Sequence, residues 1–489
     1  PEEEQTFHSK IYWHTLGTPQ SDDRLIYERP DAKELGLTPI VSEDGQYLLV
    51  YIHRGTDPQN RIYYRPIDSD GPFIPLLDDS DARYLFIDNI GTTFYFLTNL
   101  DAPRNRIIAI DINHPERSQW QEVIPQQDDP VSFVTMANDR FVVAYLHDVH
   151  HQLKLYHLDG SLDCDIPLPS IGSITGLSGK RTDDELLFNF ESFLAPPTTF
   201  RYDFATGALS TFRTTPVTID LAAYETKQVF YTSKDGTRVP MFITHKKGLE
   251  LDGTNPVLLY GYGGFNNSLL PFFATSRLMW LELGGVYAVA NLRGGSEYGE
   301  IWHEAGMLER KQNVFDDFIG AAEWLIDTGY TNSERLAIVG GSNGGLLVAA
   351  CMIQRPELFG AVICQVPVID MLRYHKFTIG RYWTGEYGNA EENPDHFQFL
   401  YAYSPLHNIT TGATYPPTLI ATADTDDRVV PVHARKFAAT LQAADSGQHP
   451  ILLRVEMQAG HGLGKPTAKL IDELSDIYAF LVKVFDLSR

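Results

Sequence analysis

The sequence predicts two domains of different class, an all-β propeller over residues 1–215 and a doubly wound, mostly parallel α/β sheet over residues 216–489. Three observations predict it. Strand-like runs at 47–52, 94–97, 141–146 and 186–190 begin 45 to 47 residues apart. Strand and helix patterns alternate after about Thr215. In that second half, Gly340-Gly341-Ser342-Asn343-Gly344-Gly345 lies between an apolar strand-like run and an apolar helix-like run.

Each early run is followed by a second, at 61–64, 106–110, 152–156 and 199–202, with turn signals such as Glu43-Asp44-Gly45 and Asp159-Gly160 between the runs. A period near 45 residues with several strands per unit and no helical spacing is the pattern of propeller blades. The run 10–14 matches the second strand of an earlier, incomplete unit, so four blades and a fragment are expected. A sheet that closes radially does not begin mid-blade. The chain also opens on Pro1 with no Met, so the expectation is that a front segment is missing or is supplied by another chain.

In the second half, 256–260 and 285–290 read as parallel strands, and 313–326 as a helix. Asn313 is the expected N-cap of that helix, and Phe315, Phe318, Ile319, Ala322 and Leu325 form its apolar face. Residues 335–339 read as a buried strand and 346–353 as a buried helix. Between them G-x-S-x-G forms a nucleophile elbow, whose tight turn needs near side-chain-free neighbours and lifts the Ser342 hydroxyl above the sheet edge. The alternative is a glycine-rich turn whose serine only caps a helix. A further strand at 417–423 runs into Asp424, Asp426 and Asp427, and another at 451–455 runs into Gly460-His461-Gly462. The order serine, acid, histidine suits a triad on this architecture, and acids at a strand's carboxyl end sit on the serine's rim. Spacing alone leaves the three aspartates open.

Composition narrows the partners. With 63 acidic and 39 basic residues the net charge is −24, which argues against nucleic acid or an anionic membrane surface. The three cysteines, Cys164, Cys351 and Cys364, imply no disulfide framework, and no metal-ligand spacing occurs. No cofactor is expected. The most apolar stretch, 336–353, is broken by glycines, Ser342 and Asn343, so no membrane span is expected. A cytoplasmic location is expected, with a periplasmic or secreted one open because the natural start is absent.

Tyr260-Gly-Tyr-Gly-Gly-Phe265, Asn291-Leu-Arg-Gly-Gly295, the elbow, Asp426-Asp-Arg-Val-Val-Pro431 and Ala459-Gly-His-Gly462 together resemble the prolyl oligopeptidases, across essentially the whole chain. That family is a group of serine peptidases with a propeller, seven-bladed when complete, over an α/β-hydrolase domain. The resemblance implies Ser342 as nucleophile, Asp426 as triad acid and His461 as base. It implies an oxyanion hole of the Asn343 main-chain N–H and the Tyr262 hydroxyl. It implies that Arg428 binds the carbonyl before proline, and that Trp383, Phe265, Val429 and Tyr387 wall the proline pocket. An aromatic slot with no buried acid suits a flat apolar ring. The substrates so implied are short proline-containing peptides, cut after proline through an acyl-enzyme. Asn343 and Trp383 favour this branch over oligopeptidase B, no convincing pair of propeller glutamates points to a dipeptidyl peptidase, and an acylaminoacyl peptidase stays open as a less favoured alternative. The competing expectations are a peptide-joining macrocyclase, a small-ester hydrolase and a catalytically silent peptide-binding fragment. Where relatives place an arginine and a cysteine on a propeller strand, this chain has His53 and Thr56.

Overall fold

A computed structural model describes residues 7–487, apart from 448 and 463. The opening Pro1–Gln5 stretch therefore lies outside the described residues. The first half folds into four antiparallel four-stranded sheets and a two-stranded one. Each larger sheet is a meander of consecutive strands, the first being Leu35–Val41, Tyr47–Arg54, Asn60–Pro66 and Ile74–Leu77. The repeating runs of the sequence are the two inner strands of each sheet. In Tyr47–Arg54, five consecutive residues from Leu48 to Ile52 are buried. Burial on both faces explains why the inner strands of the first three sheets read as continuous apolar runs, since each of these packs between neighbours, whereas the last sheet shares such a cluster only with the one before it. Apolar clusters join successive sheets: Phe94, Phe96 and Ile110 of the second pack with Leu49, Ile62 and Tyr64 of the first. The two-stranded sheet pairs Lys10–Trp13 with Arg24–Glu28, whose outer faces leave Tyr12 and Trp13 about half exposed.

The second half is built on one eight-stranded sheet. Its spatial order is Tyr224–Thr232, Arg238–Lys246, Val286–Ala290, Val257–Tyr260, Leu336–Gly341, Ala361–Gln365, Thr418–Ala423 and Ile451–Glu456. The first two pairings are antiparallel and the rest parallel. Helices Gln312–Asp327, Asn343–Gln354 and Val432–Ala444 contribute to the core on one face, and Thr275–Glu282 and Thr467–Phe485 to the core on the other. Phe315, Phe318, Ile319, Ala322 and Leu325 are buried as their spacing predicts. Asn313 does not cap that helix. The helix begins at Gln312, and the Asn313 amide instead donates to the Ala305 carbonyl at 2.9 Å, tying the helix to the preceding turn. No helix among the described residues is long and apolar enough to cross a membrane.

The sheet and its helices are locked by a buried ion pair. Arg293, just past Val286–Ala290, forks onto Asp317 with N–O distances of 2.6 and 2.9 Å, and both side chains are almost fully buried. The same guanidinium reaches Asp235 in the first hairpin turn. Removing one member leaves a buried charge unmatched. Asp317→Asn is therefore expected to lower unfolding stability by about 3 kcal/mol, read from urea titrations.

Candidate active site

The elbow is built from close packing. Ser342 has φ 59° and ψ −117°, a left-handed backbone rare for a residue with a side chain, between Leu336–Gly341 and Asn343–Gln354. A Cβ on Gly340 would lie 2.2 Å from the Gly344 carbonyl oxygen, and one on Gly345 would lie 2.6 Å from Pro367. The glycines are there because turn and helix pass backbone against backbone. Asn343 opens the helix, so its main-chain N–H has no carbonyl one turn back within the helix.

The Asn343 side chain braces the site instead of facing solvent. Its amide donates to the Tyr262 carbonyl at 2.6 Å and accepts from the Tyr387 hydroxyl at 2.8 Å. Tyr262 follows strand Val257–Tyr260, beside the elbow strand in the sheet. Burial raises its phenol above the ordinary value, the Glu386 carboxylate adds to this, and Arg428 and Ser342 act the other way. The phenol therefore stays protonated and can donate.

Ser342, Tyr262, Phe265, Trp383, Tyr387, Arg428, Val368 and the propeller residue Thr56 line one cavity of about 200 Å³. Phe265 meets Tyr387 edge-on at 5.3 Å and Trp383 at 6.5 Å, and Trp383 stacks on Tyr374 at 6.3 Å with planes 9° apart. Val429 is buried beneath this surface and is absent from the lining. His53 lies elsewhere, its ring covering Gly36 on the neighbouring strand. Thr56 donates to the Tyr382 carbonyl at 2.8 Å.

Geometry separates the three aspartates. Asp426 is 2% exposed; one carboxylate oxygen accepts from the Arg428 and Val429 main-chain N–H groups at 3.0 and 2.9 Å. The other lies 2.7 Å from His461 Nδ1. Asp424 accepts from the Ala459 N–H, and Asp427 is exposed. The structure does not complete the chain of contacts to the serine: among the described residues no hydrogen bond joins Ser342 to His461. A Cβ on Gly460, Gly462 or Gly464 would meet nothing within 4 Å, so the histidine rides on a loosely packed turn. Such contacts often close only around substrate.

A buried charge cluster behind the slot has no counterpart in the sequence reading. Glu386, 4% exposed, bonds to the Phe265 N–H at 3.0 Å and to His303 Nε2 at 2.8 Å. The slot thus has a buried acid after all. It faces away from the cavity, and three partners use its oxygens. One acid among the aromatics of 382–387 was the available signal, but it has no period. His303 also lies 2.8 Å from Glu300. Burial works against the imidazolium, yet the two carboxylates prevail and raise its pKa to about 9.

The family model described as the prolyl oligopeptidase family matches residues 271–488, and that of its N-terminal β-propeller domain matches residues 1–215. A prolyl endopeptidase of Elizabethkingia meningoseptica is 42% identical over 471 residues, 96% of this chain and 66% of that protein. A solved structure from a study of two prolyl endopeptidases and their inter-domain dynamics superposes with TM-score 0.95 at 43% identity, covering 99% of this chain and 71% of its own. The chain belongs to the prolyl oligopeptidase family. It is a β-propeller joined to an α/β-hydrolase domain. Prolyl oligopeptidase A of Galerina marginata is 40% identical over 98% of this chain and 66% of its own length. The chain thus spans about two thirds of the length of these curated relatives.

Because the His303 value is raised on folding, its charge stabilises fully below the ordinary 6.5 and the contribution is lost as pH climbs through about 9. A loss on the order of 3 kcal/mol in unfolding free energy is expected from pH 6 to pH 10. His303→Gln should flatten that part of the profile.

Proposed function

We propose that this chain carries the catalytic apparatus of a serine peptidase that cuts short peptides after proline through an acyl-enzyme. The observation that carries it is the single cavity shared by an elbow serine, a protonated tyrosine and an aromatic slot. On this reading a proline ring enters between Trp383, Phe265 and Tyr387, with Val429 supporting the floor, and Arg428 holds the preceding carbonyl. Ser342 attacks the scissile carbonyl as His461 takes its proton. Asp426, fixed by two main-chain donors, orients the imidazole and stabilises its charge. The Asn343 N–H and the Tyr262 hydroxyl receive the developing oxyanion, an interaction stronger in the transition state than in the ground state. His461 then protonates the leaving amine, and water repeats the sequence on the ester.

The four larger sheets are read as four blades and the two-stranded sheet as part of another, of seven in a complete propeller. A further N-terminal segment or a second chain would supply the rest. The propeller is read as a filter that admits peptides and excludes folded proteins. This chain superposes with TM-score 0.94 on the Galerina marginata prolyl oligopeptidase B bound to a 35mer, and 0.75 on the same protein without substrate, which supports an arrangement like that of the substrate-bound form, read here as the closed one. A cytoplasmic location is proposed. A second reading, peptide macrocyclisation, is favoured by a dual-function macrocyclase-peptidase of Galerina marginata that is 37% identical over 97% of this chain.

A fluorogenic peptide with proline at the cleaved bond should be turned over, and an arginine counterpart should not. Ser342→Ala should abolish turnover, and Tyr262→Phe should lower kcat about 100-fold with little change in KM. Folded protein that releases no product from any peptide would overturn the reading. Mass spectrometry of a long linear substrate separates hydrolysed from cyclised product.

A further inference from the structure

The carboxylate behind the slot has no part in the steps above, yet it touches the backbone that carries them. Glu386 stands between two residues of the slot region, Trp383 and Tyr387, and itself borders a second cavity of about 640 Å³ between propeller loops and the helix Glu300–Glu304. One of its oxygens accepts from the Phe265 N–H at 3.0 Å and lies 3.5 Å from Lys311 Nζ. Lys311, 1% exposed, donates to the Gly263 carbonyl at 2.8 Å. A buried anion and a buried cation, themselves in contact, therefore grip opposite ends of the turn Gly263-Gly264-Phe265.

That turn needs holding. Gly263, Phe265 and Asn266 have φ of 63°, 57° and 57°, so two residues with side chains sit in the left-handed region almost at once. Such backbone persists only where its surroundings over-determine it. Gly264 packs so closely that a Cβ would lie 2.7 Å from the Asn343 amide and 2.9 Å from Lys311 Nζ. Tyr262 enters this turn, its own carbonyl fixed by Asn343. The main chain that carries the phenol is thus bracketed by Asn343 on one side and by the Glu386–Lys311 grip on the other. Burial pushes the Glu386 carboxyl up, but Lys311 and His303 outweigh it and keep it ionised.

We propose that Glu386 is a positioning residue: with Lys311 it clamps the strained 263–266 turn so that the Tyr262 phenol meets the oxyanion formed at Ser342. This rests on the peptide-cleaving reading of the same site. A carboxylate that served only stability would weaken folding and leave catalysis per folded molecule intact.

Two near-isosteric variants, Glu386→Gln and Lys311→Met, made singly and combined with Tyr262→Phe, test the coupling. Each is expected to lower kcat on the proline peptide about tenfold with KM within about twofold, and to change kcat less than about threefold when Tyr262 is already Phe. Losses that multiply in the double variants, or that fall on KM alone, would overturn the proposal. A second readout needs no turnover. In fluorotyrosine-labelled protein, the Tyr262 resonance is assigned by its loss in Tyr262→Phe, and its alkaline titration is followed by fluorine NMR. Because the Glu386 charge itself raises the phenol, Glu386→Gln moves the midpoint with or without a clamp; the clamp in addition shifts and broadens the resonance at neutral pH, and an unchanged resonance there overturns it. If the parent chain cleaves nothing, the functional reading falls and the fluorine resonance at neutral pH still decides the coupling.

Discussion

Ser342 can present its hydroxyl only because the chain reverses direction within one residue, at a backbone conformation that costs on the order of 1–3 kcal/mol. That cost is met by the sheet. The elbow strand Leu336–Gly341 lies between Val257–Tyr260 and Ala361–Gln365, and the Ser342 N–H bonds to the Gln365 carbonyl at 2.9 Å. The parallel strands of the sheet have their carboxyl ends on one side, and several groups of the site follow from that choice. Tyr262, Ser342, Asp426 and His461 each come shortly after the end of a parallel strand. Four loops far apart in sequence meet because four strands share one direction.

Within that rim, two kinds of hydrogen bonding divide the work. Asp426 is held by main-chain donors and spends its remaining oxygen on His461. Its position therefore depends on the turn 426–429 rather than on other side chains. Tyr262 is held the opposite way, through the Asn343 amide and a cluster of buried charges. In that cluster Glu300 and Glu386 face His303 and Lys311, with the Arg83 guanidinium also acting on Glu300, so the two carboxylates are matched by cations when His303 is protonated. Only the histidine turn is left slack. On the proposed reading, this suits a group that contacts both the serine and the leaving amine during one cycle.

What the sequence shows and hides follows from the range of each interaction. The inner propeller strands are legible because burial on both faces writes continuous apolar runs, while the outer strands, such as the exposed Leu209–Thr214, write nothing distinctive. The elbow is legible because its glycines are forced by contacts a few residues away. Asp426 is not legible by spacing, since Asp424 and Asp427 share its strand end and only the main-chain geometry separates them. Asn313 looked like a cap because its residue type favours one, but its amide found a tertiary partner in Ala305. Glu386 is the clearest gap. Its partners at 265, 303 and 311 lie at separations no local pattern encodes, and its charge argued for the surface until the structure supplied two cations.

The two domains are not independent at the slot. Gly55 has φ 52°, and a Cβ there would sit 2.8 Å from Tyr382, so the propeller loop lies flat on the turn that carries Trp383. Thr56 adds a hydrogen bond to the same turn and a wall to the cavity. Elsewhere the interface combines part-buried polar contacts, such as Tyr298 to Asp148 at 2.9 Å and the Phe273 N–H to Glu191 at 2.7 Å, with an apolar contact in which Val149 and Phe193 are buried against Phe242 and Tyr287. Interfaces between domains of one chain that mix polar and apolar contacts commonly allow relative domain motion. Parting would remove Thr56 from the slot and release the Tyr382–Trp383 turn together. On the proposed reading, the slot that recognises proline is therefore whole only while the domains are closed, which links selectivity for the ring to the same motion that lets a peptide in.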